Sequence, residues 1–316
     1  MGISVNRRRS SSREDRLANL IKIVLYVLEG LGVPKYSSAR SNHLYSFHAK
    51  VCMLVVKQYL KCTFRSVCDI VVSAARAMKA MGMRYVPHHS TIVKFASSID
   101  PVLLDNILNA TAMLTSGERI TVAVDATGMP CDNASWHYVL RIQNDGARLL
   151  KKRDFTKVSL AVDTAGLTVM ACETSLGNVH DVKHIPSLLD KIVSGGYDVI
   201  SVVADKGYDS EDVHKEIRKR TGAETFIPTR RPDRRSDGKR PRRTNRRRMA
   251  EVFSSPDSEG SRTYRKRSMA ETVNSMIKRK MGGNVSGHTD QSRHKETMCR
   301  CIAHNVMRAL DKGVTA

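Results

Sequence analysis

The sequence predicts an α/β chain in which an all-helical N-terminal region precedes a mixed sheet flanked by helices. Up to about residue 115, apolar residues recur at the spacing of helices. Short apolar runs bounded by turn residues then read as strands, with Asp163-Thr164-Ala165-Gly166 as a hairpin signature between two of them. From about residue 182 onward, helix and strand patterns alternate, as in sheets built from strand–helix–strand units.

Residues 1–13 form a basic Ser- and Arg-rich tail that is expected to be disordered. Leu17, Leu20, Ile21, Val24 and Leu28 mark a first helix over 16–31, which Gly30, Gly32 and Pro34 terminate. A second helix is predicted over 42–60, and a third from the N-cap Thr63 to about residue 80. The turn 81–87 carries Gly82 and Pro87. A short helix follows, with Ser90 as its cap and Ile92, Val93 and Phe95 facing inward. The elements of 64–98 resemble a helix-turn-helix, whose second helix lies in the major groove of DNA. His88, His89, Ser90, Thr91 and Lys94 would then face the duplex. Two ordinary packed helices are the alternative.

A linking helix over 101–114 leads into predicted strands at 120–125, 136–142, 155–162 and 167–172. A helix at 182–193, a buried strand at 199–204, a helix at 211–220 and a strand at 224–228 follow. The interval 230–248 interrupts the pattern, because eleven of its nineteen positions are Lys or Arg. Such a run cannot build a core and is expected to be solvated or bound to phosphate. Arg230, Arg231, Arg242 and Arg243 are its candidate contacts to DNA. Helices at 262–280 and 294–309, separated by Gly282 and Gly283, close the pattern. The predicted division is therefore a tail (1–13), a helical region (14–116) and a sheet domain (117–312) with a basic insertion at 230–260.

Composition narrows the partners. The formal net charge of +22 on 316 residues attracts a polyanion and speeds association with it. Aromatic residues make up 5% of the chain, too few for base stacking to dominate binding. No apolar run reaches the roughly 18–20 residues that span a bilayer, and residues 1–9 lack the pattern of a secretory signal. An intracellular protein with no membrane role is expected. Cysteines at 52, 62, 68, 131, 172, 299 and 301 form no CxxC pair, which fits neither a disulfide framework nor a zinc ribbon. Cys299 and Cys301 lie near His294 and His304 at a spacing that matches no common zinc site, so buried thiols are the simpler reading.

Three acidic residues stand out. Asp125 follows a strand pattern and precedes Ala126-Thr127-Gly128, where the strand is expected to leave the sheet. Asp205 follows Val202-Val203-Ala204 in the same manner and precedes Lys206-Gly207-Tyr208. Functional groups gather at the carboxyl ends of strands in open α/β sheets. If the two strands are adjacent and parallel, the carboxylates emerge side by side, and a cation between them relieves their repulsion. A turn or helix-cap role is the alternative for each, although Asp209 or Ser210 already supplies a cap after Asp205. Asp163 and Glu173 compete as candidates, but Asp163 precedes the hairpin glycine and is more simply a turn residue.

The third acid is Glu271. Tyr264, Arg267, Glu271 and Lys278 are separated by steps of three, four and seven residues, which keeps them in one stripe of a helix. One acid among bases suits a site that binds metal and phosphate together. A solvent-exposed basic stripe with helical ion pairs is the alternative.

Together these segments resemble the DDE transposases of prokaryotic insertion sequences, in the group with a Tyr-x2-Arg-x3-Glu-x6-Lys signature. Tyr264, Arg267, Glu271 and Lys278 match that signature at every spaced position. Ala204-Asp205-Lys206-Gly207-Tyr208-Asp209 resembles the family's second-aspartate segment, and Val124-Asp125-Ala126-Thr127-Gly128 its first. The resemblance covers about 118–310, and the helical N-terminus is similar to the DNA-binding part of such proteins. It implies an RNase H-like fold with five strands, interrupted between the second Asp and the Glu by an insertion that is here short and basic. His180-Asp181 also resembles a family segment and is assigned no catalytic role.

The resemblance further implies phosphoryl transfer on DNA with two Mg²⁺ ions, for which Mn²⁺ can substitute. Two ions about 3.5–4 Å apart serve an in-line displacement. Asp125 is expected between them, with Asp205 and Glu271 each completing one coordination shell. Water would free a 3′-hydroxyl at the element end, and that hydroxyl would attack target DNA. Arg267 and Lys278 would position phosphates, and Tyr264 would contact the strand near the cut. Double-stranded DNA (terminal inverted repeats and target), a homodimer on DNA and a cytoplasmic, nucleoid-associated location follow as expectations. A metal-dependent nuclease without joining activity and a non-enzymatic DNA-binding regulator are the rival functions.

Overall fold

The structure, a computed structural model, describes residues 4–5, 13–36, 38, 40, 43–131, 155–177, 179–230 and 244–315. The chain divides into two compact units, one of residues 1–115 and 277–316 and one of residues 116–276.

The first unit begins with β1 (Ser4–Val5), a short strand inside the predicted tail, and α1 (Arg13–Gly30). Helix α2 (Phe47–Tyr59) starts later than predicted, where Ser46 accepts the Ala49 N–H as N-cap. Thr63 caps α3 (Phe64–Ser73) as the sequence suggests, by accepting the Ser66 N–H. The predicted single helix to residue 80 is broken at Ala74 (φ −102°, ψ 78°), and α4 (Ala75–Ala80) follows. The cap of α5 (His89–Ser98) is His88 rather than Ser90, because the His88 ring accepts the Ser90 N–H. Ile92 and Phe95 face inward on α5, whereas Val93 is exposed, contrary to expectation. Asp100 caps α6 (Pro101–Met113), with Pro101 in its first turn.

The second unit is built on a five-stranded sheet of order β4-β3-β2-β5-β6. Strands β2 (Arg119–Pro130), β3 (Phe155–Asp163) and β4 (Thr168–Leu176) form an antiparallel meander. A one-turn 3₁₀ segment (Asp181–His184) and α7 (Ile185–Ser194) then cross over to β5 (Asp198–Ala204), which runs parallel to β2. A second 3₁₀ turn (Lys206–Tyr208) and α8 (Glu211–Thr221) lead to β6 (Glu224–Phe226), parallel to β5. Helix α7 packs on β4 and on α8, and α8 packs on β5 and β6. The inner strands are apolar and buried along most of their length, as expected of a covered sheet. This is the mixed, RNase H-like sheet that the resemblance implies; the predicted strand at 136–142 lies outside the described residues.

Beyond β6 the chain forms α9 (Thr244–Val252), which takes in the end of the basic run and buries Asn245 and Met249. The predicted helix at 262–280 is divided into α10 (Glu259–Tyr264), a 3₁₀ turn (Arg265–Arg267) and α11 (Ser268–Met281). Helix α12 (Asp290–Asp311) opens with a capping box between Thr289 and Ser292. Strand β7 (Val314–Thr315) pairs antiparallel with β1. Helix α12 packs on α1, α2 and α6, burying Met298, Ile302, Ala303 and Val306 among apolar residues of those helices. Residues 277–312, read from sequence as part of the sheet domain, thus belong to the helical unit.

Candidate active site

Strand pairing sets the first two carboxylates. The parallel ladder between β2 and β5 ends at the rung Val124↔Ala204. Asp125 and Asp205 are the next residues of the two chains, so they lie together at one end of that ladder. Asp125 does not mark the end of its own strand, however. β2 continues to Pro130 because β3 goes on pairing with it, from Asp125↔Leu160 to Pro130↔Phe155. What ends beside Asp125 is the ladder to the neighbouring strand β5.

Asp205 turns back on its own loop. Its Oδ1 accepts the Gly207 N–H at 2.6 Å, which makes it the cap of the 3₁₀ turn that follows. A Cβ at position 207 would lie 2.6 Å from that oxygen, so a side chain there would displace the Asp205 carboxylate from this position. The cap of α8 is Ser210, as anticipated, which leaves Asp205 free of that duty.

Glu271 lies in the first turn of α11, and Arg267 holds its carboxylate at 2.7 Å. The 3₁₀ turn containing Arg267 packs on β2 and β5. One helical turn beyond Glu271, Asn274 is buried, and its Nδ2 donates to Asp125 Oδ2 at 3.0 Å. Asn274 is the site residue that sequence reasoning missed. Its three-residue step from Glu271 placed it on the same helix face.

The electrostatics connect these groups. Burial pushes the Asp125 carboxyl above its ordinary value. The charge of Glu271 acts in the same direction, against hydrogen bonds from Asn274 and the Ala126 backbone and the charge of Arg267. Burial likewise raises Tyr264, aided by the charges of Asp205 and Glu271 and opposed by Arg267. Tyr264, Arg267 and Glu271 thus act on one another electrostatically. Lys278 lies farther along α11, in the portion assigned to the first unit.

The residues can be weighed against a divalent ion. Asp125, Asp205 and Glu271 offer oxygen ligands only, the donor set that suits Mg²⁺. Repulsion between Asp125 and Glu271 is of the kind a bound cation relieves. Among the described residues, no three His, Cys, Asp or Glu side chains stand close enough together to hold a metal ion. The fit is thus in donor chemistry and shared field, while Arg267 supplies the countercharge to Glu271 in this structure.

Other candidates separate from this cluster. Asp163 is buried, and its two oxygens accept the Ala165 and Gly166 N–H groups, the turn role read from sequence. Glu173 pairs with Lys191 and accepts from Ser187. Asp181 pairs with Lys157, and its charge reaches the buried Tyr208, as do those of Asp125 and Asp205. On α5, His89 and Thr91 are half-buried and Lys94 is exposed, on the outer side from Ile92 and Phe95. Arg230 donates Nε to the Lys206 carbonyl and Nη2 to the Gly207 carbonyl, so its guanidinium serves the Asp205 turn. Arg231, Arg242 and Arg243 lie outside the described residues. Cys299 and Cys301 are buried, and burial pushes the Cys299 thiol up to about 12. No described helix is long and apolar enough to cross a membrane.

Comparison with known proteins bears on the whole arrangement. Residues 116–306 match the family model described as Transposase DDE domain. Among solved structures, the piggyBac transposase synaptic complex with hairpin DNA is similar at 9% identity and a TM-score of 0.44, over 98% of this chain and 77% of that one. The Drosophila P element transposase strand transfer complex aligns at 12% identity and a TM-score of 0.31, over 86% and 60%. A pre-cleavage Mos1 transpososome aligns at 8% identity and a TM-score of 0.23, over 96% and 99%. The family assignment rests on the domain match, which spans more than half of the 316 residues. The chain belongs to the DDE transposases.

Proposed function

We propose that this transposase binds the ends of a mobile element of the insertion-sequence type and catalyses strand cleavage and strand transfer, with Asp125, Asp205 and Glu271 as its acidic triad. The observation that supports the assignment is the shared end of the β2–β5 ladder, where Asp125 and Asp205 are the next residues of the two chains, with the charge of Glu271 acting on Asp125. Those three carboxylates would hold two Mg²⁺ ions, or Mn²⁺ in their place; ions bound there activate a hydroxyl and neutralise charge on the leaving oxygen. Asn274 orients the Asp125 carboxylate through its amide N–H. Arg267 binds Glu271 in this structure and turns to a DNA phosphate when Glu271 takes up its coordinating role. Tyr264, which feels the charges of both Arg267 and Asp205, contacts the strand near the cut, and Lys278 holds backbone phosphate.

The helical unit supplies the grip on the element end. On α5, Lys94 is exposed and His89 and Thr91 are half-buried, flanking the inward Ile92 and Phe95; through these three side chains the helix would read a major groove. Arg231, Arg242 and Arg243 add sequence-independent attraction to phosphate. Two copies acting on two ends make a homodimer on DNA the working assembly, in the cytoplasm and at the nucleoid.

The reading is tested by incubating the full chain with Mg²⁺, labelled DNA bearing the inverted repeats that flank its reading frame, and unlabelled target DNA. Nicks at the repeat ends and joined products are expected, both abolished by EDTA. Nicks without joined products would replace the reading with that of a nuclease. Binding with neither product would overturn it in favour of a regulator.

A further inference from the structure

The residue four positions after Asp205 is held more tightly than a surface aspartate has reason to be. The Asp209 side chain is fully shielded from solvent. Its Oδ1 accepts Arg246 Nε at 2.9 Å, and its Oδ2 accepts Arg246 Nη2 at 2.7 Å and the Arg230 N–H at 2.9 Å. This is a two-pronged guanidinium–carboxylate pair with a third donor, the strongest arrangement such groups make. Arg230 in turn donates Nε to the Lys206 carbonyl at 2.8 Å and Nη2 to the Gly207 carbonyl at 2.7 Å. Both carbonyls belong to the 3₁₀ turn that Asp205 caps.

A second attachment lies one turn along. Glu211 Oε1 accepts the Asn245 side-chain amide at 2.7 Å, and its Oε2 accepts the Arg246 N–H at 3.2 Å. It thereby supplies acceptors for the free N–H groups at the start of α9. Arg230 and Arg246 lie at the beginning and near the end of the most basic stretch in sequence, and both are fastened to the loop that carries Asp205. A mere solubilising insertion needs no such fastening.

We infer that Asp209, Arg230 and Arg246 form a clamp that fixes the direction of Asp205, with Asp209 as its central positioning residue. The inference rests on the reading of Asp205 as a metal ligand. Asp209 touches neither DNA nor metal in this role. It sets the turn 206–208, and through the Gly207 N–H bond that turn sets the carboxylate. Partners of this kind around metal ligands are worth about 10–100-fold in metal affinity or activity.

The test is Mn²⁺ binding to the full-length protein, followed by titration calorimetry, with Asp205→Asn as reference. Asp209→Asn, which keeps the shape but loses the charge, is expected to weaken Mn²⁺ binding about 10-fold or more. Asp209→Glu should restore part of the loss. In the cleavage assay the Mg²⁺ concentration giving half the maximal rate should rise, while the rate at saturating Mg²⁺ largely recovers. If Asp205→Asn binds Mn²⁺ as the wild type does, the metal-ligand reading fails. If Asp205→Asn weakens binding and a folded Asp209→Asn does not, the clamp alone is overturned. Should Asp209→Asn fail to fold, Arg230→Ala carries the test: a several-fold weakening is expected, and unchanged binding refutes the clamp.

Discussion

Asn274 Nδ2 donates to Asp125 Oδ2 at 3.0 Å, joining side chains 149 positions apart in the sequence. This bond ties helix α11 to strand β2 beside the third acid. Asn274→Ala should therefore reduce single-turnover cleavage by about 10–100-fold, the cost of removing a partner that orients a ligand. Stability should fall by about 1 kcal/mol, because a half-buried acceptor loses its donor. Cleavage at the wild-type rate by a folded variant would show that Asp125 needs no such support.

Asp163 is the control carboxylate. It sits on the same strand pair as Asp125, yet faces Val122 across the ladder and accepts two backbone N–H groups of its own turn. Asp163→Asn should lower stability by about 1–3 kcal/mol through weakened turn bonds. The cleavage rate per folded molecule should stay at the wild-type value. A thermal melt and a cleavage time course on the same preparation separate the two effects.

His214 gives the second unit an acid-sensitive element. It is buried, with Nδ1 2.7 Å from Thr225 Oγ1. Burial holds its pKa below the ordinary 6.5, against the charges of Asp209 and Glu211. The unfolded chain thus takes up this proton first as the pH falls. The resulting stability is complete above about pH 6.5 and is lost as the pH drops through the lower folded value. Urea midpoints at pH 7.5 and 5.5 should fall more for the wild type than for His214→Gln. An equal fall would assign the acid sensitivity elsewhere.

The sequence reveals the parts of this molecule that local patterns govern. Thr63 and Ser210 announce their helices, and the short apolar run from Ile120 to Val124 announces β2. What it conceals depends on distant partners. Gly128 looks like a strand breaker, yet β2 runs through it and ends only at Pro130 because β3 supplies a matching edge. Helix α9 emerges from a run that reads as solvated, because Glu211, more than thirty residues earlier, accepts its first N–H groups. The break at Ala74 has no local signal in the sequence. In the candidate site, the strand patterns locate Asp125 and Asp205, although only the β2–β5 ladder and not β2 itself ends there, and sequence spacing singles out Tyr264, Arg267 and Glu271. Asn274 and Asp209 gain their meaning only from what they touch after folding.

The most direct test of the triad compares Asp125→Asn, Asp205→Asn and Glu271→Gln with the wild type on labelled repeat-end DNA in Mg²⁺. Cleavage and joining are measured alongside DNA binding on the same preparations. Each variant is expected to lose cleavage and joining by about three orders of magnitude or more, as when a metal-borne activation is removed, while binding the repeat DNA as the wild type does. Cleavage that persists near the wild-type rate in any one of the three would contradict the assignment of that residue, and persistence in all three would contradict the account as a whole.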